Sequence, residues 1–224
     1  NQKEIVRESR SNQMKIDRVS RKDEKNVSVY FDNGERLILS EDTFFNSGLR
    51  KGDEISEDRF SFFIEQNILY HIKQRALSFL ARRFHSEREL LIKLKSKSYE
   101  ERLIKIVLSE LKEKSFIDDQ VFANHFIEEK LKKKRWGKNK IRSALFSKGI
   151  SVSIIDEVLK SFNSEEDQNE AALSLAQKKY EKLKLRESDE RKLKQKIISF
   201  LLSRGFDYEV SSDVVGKIIK NDFD

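Results

Sequence analysis

At 224 residues, with 37% hydrophobic and 38% charged residues, the chain has enough apolar material for one large or two small cores beneath a heavily solvated surface. The absence of cysteine excludes a disulfide scaffold and any thiolate metal site, and no run of about 18 apolar residues is present to cross a membrane as a helix. The net charge of +7 is uneven: residues 71–162 hold 22 Lys and Arg against 12 Asp and Glu, whereas the flanking segments are close to neutral.

Taken in chain order, the polar first twelve residues lack the apolar stretch of a signal peptide, and a cytoplasmic location is expected. The only methionine is Met14, so residues 1–13 read as a disordered leader or a cloning remnant. From Ile16 the apolar period is two. Val27, Val29 and Phe31 share one face, Asn33-Gly34 marks a turn of the type I′ kind, and Leu37 and Leu39 return. Gly48 and Gly52 mark further turns, and Phe60, Phe62, Phe63 and Ile64 form a short helical face near residues 57–66. A small α+β unit over residues 14–70 is expected, packed on the helical segment that comes after it.

From His71 the period becomes helical, and no proline interrupts it. A repeat then emerges. A shift of 51 residues places Leu90, Leu94, Tyr99, Leu103, Ile104, Val107, Leu108 and Leu111 on Ile141, Leu145, Ile150, Ile154, Ile155, Val158, Leu159 and Phe162. A further shift of 56 gives Ile197, Leu201, Phe206, Val210, Ser211, Val214, Val215 and Ile218, with Ser211 alone breaking the apolar match. The punctuation recurs as Ser98-Tyr99, Gly149-Ile150 and Gly205-Phe206, each after a cationic residue, as at a helix C-terminus. One more helix precedes each pair, through Leu77, Leu80, Ala81 and Phe84, through Phe122, Phe126 and Ile127, and through Ala172, Leu175, Ala176 and Tyr180. Ser86 with Glu89 reads as a capping box. The expected fold is mainly α: three tandem three-helix repeats over residues 71–118, 119–163 and 164–224, forming an elongated array behind the N-terminal β-hairpin-containing unit.

Candidate binding residues concentrate in the middle repeat. Lys130, Lys132, Lys133, Lys134, Arg135, Lys138, Lys140, Arg142 and Lys148 lie in a stretch, residues 130–150, that contains no acid. Such a face suits phosphates or an acidic protein surface, and its bland alternative is an ordinary solvated helix face. Trp136 inside it reads equally as a packing residue between repeats or as a platform for a base or partner side chain. Arg82, Arg83 and Arg88 form a second basic cluster. Asp118-Asp119 reads as a helix N-cap, and His71, His85 and His125 are scattered without carboxylates at ligand spacing. No Gly-rich phosphate loop and no catalytic set converges anywhere, so neither a cofactor, a metal nor an enzymatic activity is expected.

The chain resembles the RecX family of bacterial RecA regulators in Ser86-Glu87-Arg88-Glu89-Leu90 with Leu94, in Phe116-Ile117-Asp118-Asp119 with Phe122-Ala123, and in Gly137, Lys140-Ile141, Leu145 and Lys148-Gly149-Ile150. The agreement covers about residues 70–165, and the third repeat follows more loosely. Ser98 and Ser115 stand where the family usually has glycine. The resemblance implies a monomeric, non-enzymatic protein. It would lie in the groove of the RecA filament on single-stranded DNA and lower ATP hydrolysis, strand exchange and filament growth. The competing expectation, from the residues, is an autonomous helical DNA-binding module.

Overall fold

The computed structural model describes residues 13–131, 136–162 and 165–223. Two compact units are distinguished: residues 1–81 with 93–110, and residues 82–92 with 111–224.

In the first unit, strands β1 (Gln13–Arg21), β2 (Asn26–Phe31), β3 (Arg36–Ser40) and β4 (Glu54–Ser56) form an antiparallel sheet of order β3-β2-β1-β4. The period-two reading holds: Val27, Val29, Phe31, Leu37 and Leu39 are all buried, the last four in a core that includes Met14, Ile16, Leu49, Ile55 and Phe63. The turn differs from the type I′ expected. Gly34 alone takes a positive φ, and the loop closes with the Gly34 amide donating to Phe31 (3.1 Å) and the Phe31 amide donating to Glu35 (3.0 Å). This is a type I turn finished by a left-handed glycine; it lets Asn33 stay in the right-handed region, where its side chain accepts from the Glu35 amide. The edge strand β3 is covered at its end by Asn67, which accepts from the Ser40 amide and donates to the Ile38 carbonyl, so those backbone groups do not present an open pairing edge.

Helix α1 (Glu41–Ser47) is capped by Ser40 and ends at left-handed Gly48. Helix α2 (Glu57–Leu80) is one continuous 24-residue helix, where the sequence suggested two helical segments near residues 57–66 and 77–84. No Gly or Pro interrupts residues 57–80, and Ser56 caps the start. Ending at Leu80, the helix leaves Ala81 and Phe84 outside it, and its buried residues in this stretch are Ile72 and Ala76.

The helical repeats continue through α3 (Glu87–Lys95), α4 (Glu101–Glu113), α5 (Asp119–Glu129), α6 (Lys138–Ser147), α7 (Val152–Phe162), α8 (Glu165–Leu183), α9 (Glu190–Ser203) and α10 (Tyr208–Phe223). Most of the aligned apolar positions are buried, while Tyr99, Ile154 and Val210 are half-buried. Leu90 and Leu94, Ile141 and Leu145, and Ile197 and Leu201 occupy the middle helices, and Ile104, Val107 and Leu108, Ile155, Val158 and Leu159, and Val214 and Val215 occupy the last helices. Ser211, the one polar member, is fully buried, and its hydroxyl donates to the Asp207 carbonyl at 2.7 Å, which satisfies it within its own helix.

Each middle helix ends as the punctuation implied. Ser98, Gly149 and Gly205 all have positive φ. At the second and third, paired 5→2 and 6→1 hydrogen bonds close the helix: Gly149 to Phe146 with Ile150 to Leu145, and Gly205 to Leu202 with Phe206 to Leu201. Ser115 takes the same conformation after α4. The two serines that depart from the family's glycine therefore keep the left-handed geometry, at a cost on the order of 1 kcal/mol each.

The second unit reveals why glycine is retained at the other two sites. The start of α3 abuts the end of α6, and the start of α6 abuts the end of α9. A Cβ on Gly149 would lie 2.7 Å from the Arg88 Cβ, and one on Gly205 would lie 2.4 Å from the Lys140 amide nitrogen. Gly137, the N-cap of α6, is also pressed onto Gly205: its own Cβ would fall 2.3 Å from the Gly205 carbonyl carbon. Ser98 is exposed and needs no such clearance. At these joints the start of one helix meets the end of another, and the amides of Gly137 (2.9 Å) and Asn139 (3.0 Å) donate to the carbonyls of Arg204 and Gly205.

Candidate nucleic-acid interface

The joint between the start of α3 and the end of α6 is built from the residues that carry the family resemblance. Ser86 accepts from the Glu89 amide (3.1 Å) and donates to the Lys148 carbonyl (2.8 Å), capping one helix while binding the end of another. Its capping box is incomplete, because Glu89 turns away to pair with Lys148 and with Arg83 (2.9 Å). Asp118 caps its own helix through the amides of Gln120 and Val121, as expected, whereas Asp119 reaches across to accept from the Glu87 amide at 3.0 Å. Burial pushes the Asp119 carboxyl above its usual range. Adjacent acids thus serve two helices.

Burial also opposes ionisation of Glu89, but hydrogen bonds and charge from Arg83 and Lys148 outweigh it and hold the carboxyl below its usual range. A depressed carboxylate contributes stability that is present above its unfolded-state pKa and disappears as pH falls through the folded value. Glu89→Gln is accordingly expected to cost about 1–2 kcal/mol near neutral pH and to flatten the acid limb of a melting-temperature profile below about pH 4.5. An unchanged acid limb would show that the pair contributes nothing to the joint.

The predicted binding residues divide into three groups. Lys132, Lys133, Lys134 and Arg135 lie outside the described residues. A second set is engaged locally. Lys130 pairs with Glu129 and lies over Phe126 and Trp136; Lys140 lays its stem on Gly205, donates to the Ser203 carbonyl (3.1 Å) and sits 5.0 Å from the Trp136 ring; Arg142 pairs with Asp156 at 2.6 Å. Lys148 joins Glu89 and lies over Phe122 and Phe126, the stem of Arg88 covers Gly149, and the Lys138 amide donates to buried Gln168 (3.3 Å). Exposed Arg82 makes no ion pair among the described residues, and Arg83 stays half-exposed while bonding Glu89 and the Phe84 carbonyl. Trp136 packs edge-on against Phe126 beside the core of the second repeat.

Sequence reasoning missed the cleft that these cations border. Arg83, Phe84, Phe122, His125, Phe126, Glu129, Lys130 and Lys148 enclose about 340 Å³. Phe84 stacks on His125 with ring centroids 4.1 Å apart and planes inclined by 16°. The spacing of Phe122, His125, Phe126 and Glu129 on one face of α5 was visible in the sequence; its meeting with Phe84, 41 positions away from His125, required the joint. Among the described residues, no group of His, Asp and Glu is placed to hold a metal ion, and no helix is long and apolar enough to cross a membrane.

Comparison with known proteins agrees with this architecture. Residues 73–111, 118–159 and 165–215 match the models of the first, second and third three-helix domains of RecX. Curated relatives named regulatory protein RecX include those of Clostridium acetobutylicum (35% identical over 199 residues, 88% of this chain and 92% of the relative) and Clostridium tetani (33%, covering 91% and 93%). A crystal structure of regulatory protein RecX superposes with a TM-score of 0.74 at 25% identity, covering 90% of this chain and 98% of its own. RecX from Lactobacillus salivarius shares the fold, with a TM-score of 0.60 at 22% identity over 68% of this chain. With the three helical domains matched in order and relatives more than 30% identical over nearly their whole length, the chain belongs to the RecX family of regulatory proteins.

Proposed function

We propose that this chain is a non-enzymatic regulator that binds the RecA filament on single-stranded DNA, within its groove, and there inhibits ATP hydrolysis, strand exchange and filament growth. The observation that carries this reading is membership of a family of regulatory proteins through all three helical repeats. The cationic excess of residues 71–162 supports it, because a filament on DNA is a polyanionic surface. Added well below one molecule per RecA protomer, the protein is expected to slow RecA-dependent ATP hydrolysis on single-stranded DNA. Unchanged hydrolysis and strand exchange at saturating protein would sink the reading.

The acid-free stretch at residues 130–150 favours a second reading, an autonomous DNA-binding module. It requires salt-sensitive, submicromolar binding to DNA without RecA, and negligible affinity there would dispose of it. For either reading the proposed contacts are residues 130–142 with Arg82, Arg83 and Arg88. Combined Lys133→Glu, Lys134→Glu and Arg135→Glu is expected to weaken inhibition of ATP hydrolysis on the order of tenfold with little change in melting temperature. Equal inhibition by that variant would move the contact elsewhere.

A further inference from the structure

We propose that the cleft between the Phe84–His125 stack and the α5 aromatics receives one unpaired base of single-stranded DNA, with Arg83 meeting the adjoining phosphate. The inference rests on the reading that this basic face meets nucleic acid, and it names the chemistry of the contact. Phe84 is a large apolar side chain left 50% exposed in a loop. One face of its ring is covered by His125 in a nearly parallel stack, which holds it as a rigid platform instead of a loose surface group. The cleft beside it has a volume near the lower end of small-ligand sites, large enough for a single ring system.

Charge selects the occupant. Arg83, Lys130 and Lys148 line the cleft with Glu129; Arg83 and Lys148 share the single carboxylate of Glu89 and Lys130 pairs with Glu129, so the cations still outnumber the acids by one. An apolar anchor from a protein partner would leave that excess positive charge unmatched. A nucleotide brings a stacking ring and an anion together, which suits an aromatic-lined cleft bordered by the half-exposed Arg83 guanidinium. Stacking on an aromatic side chain tolerates any base, so the site adds affinity with little sequence preference. It also lies across the α3–α6 joint, since Phe84 precedes α3 and His125 belongs to α5; a bound base therefore touches two repeats.

The test compares fluorescence anisotropy of the full chain on labelled oligothymidylate and on an abasic strand of equal length, which carries the same phosphates without bases. The intact protein is expected to prefer the thymidylate strand at least fivefold. Phe84→Leu should bind both strands as the intact protein binds the abasic one, with the salt dependence unchanged, while Phe84→Tyr keeps the preference. Equal affinity of the intact protein for the two strands overturns the proposal, as does a preference that survives Phe84→Leu in a variant of unaltered melting temperature. Failure to bind either strand also overturns it. Inhibition of RecA-dependent ATP hydrolysis, measured on the same preparations, separates the two failures: if it persists when the base preference is absent, the regulatory reading stands and the base site falls.

Discussion

Gly205→Ala is expected to detach the third repeat from the second, lowering stability by about 3–5 kcal/mol. A Cβ there would stand 2.4 Å from both the Lys140 amide nitrogen and the Lys140 Cβ, and Gly205 itself holds a φ of 90°, which an alanine adopts only under strain. Neither neighbour can yield cheaply, since the overlap involves backbone and Gly137 also lies against Gly205. In a protein of tandem repeats, stability is the sum of repeat and interface terms, so loss of an interface should split the urea transition into two, the earlier belonging to α8–α10. A single transition within about 1 kcal/mol of the parent would show that the joint tolerates a methyl group and that the close approach has no energetic weight. The joint at Gly149 is softer, because there the obstacle is the Arg88 side chain.

Ile141→Ala removes a fully buried side chain from the core that Phe122, Ala123, Ile127, Leu145 and Val158 share, and should cost about 2–5 kcal/mol. Its reach should exceed its site. Helix α6 forms a joint at each end, with α9 through Gly137 and Asn139 and with the start of α3 through the Lys148 carbonyl. Hydrogen exchange is therefore expected to accelerate at the start of α3 and the end of α9 as well as within the second repeat. Leu201→Ala, of similar size, offers the contrast. The first turn of α9 is capped by its own Asp189, whose side chain accepts from the amides of Arg191 and Lys192, so the added exchange should stay within the third repeat and its one joint. Identical exchange patterns for the two variants would mean that the joints do not transmit stability.

Much of the fold was legible because it rests on local periodicity. The recurring apolar frame from Leu90 to Leu111 named most of the buried positions of three repeats, since helices expose the same face to a core every three to four residues. The C-terminal glycines were legible for a similar reason: only a short list of residues tolerates a positive φ. What failed was where two local signals had to compete. Phe60, Phe63, Leu77 and Phe84 looked like faces of two helices, but one uninterrupted helix formed and stranded Phe84 beyond its end. Asn33-Gly34 signalled a hairpin correctly and its turn type incorrectly, because an asparagine that tolerates the left-handed region need not occupy it.

The candidate site was less legible than the fold. A count of charges along the chain drew attention to residues 130–150, yet Lys140, Arg142 and Lys148 prove to bind Ser203, Asp156 and Glu89, partners found 63, 14 and 59 positions away. Charge density in a sequence does not distinguish a cation that faces solvent from one that closes a joint. Asp119 and Glu89, read as parts of local caps, instead cross between helices.

The sequence by itself determined the repeat, its helical period, its buried frame and the family to which the chain belongs, because those depend on spacing between near neighbours. Only the tertiary structure decided which glycines lie against a neighbouring helix, which cations are already engaged, and that Phe84 meets His125 over a cleft. Those outcomes depend on which helix end abuts which, a matter of contacts between residues tens of positions apart that no local period encodes.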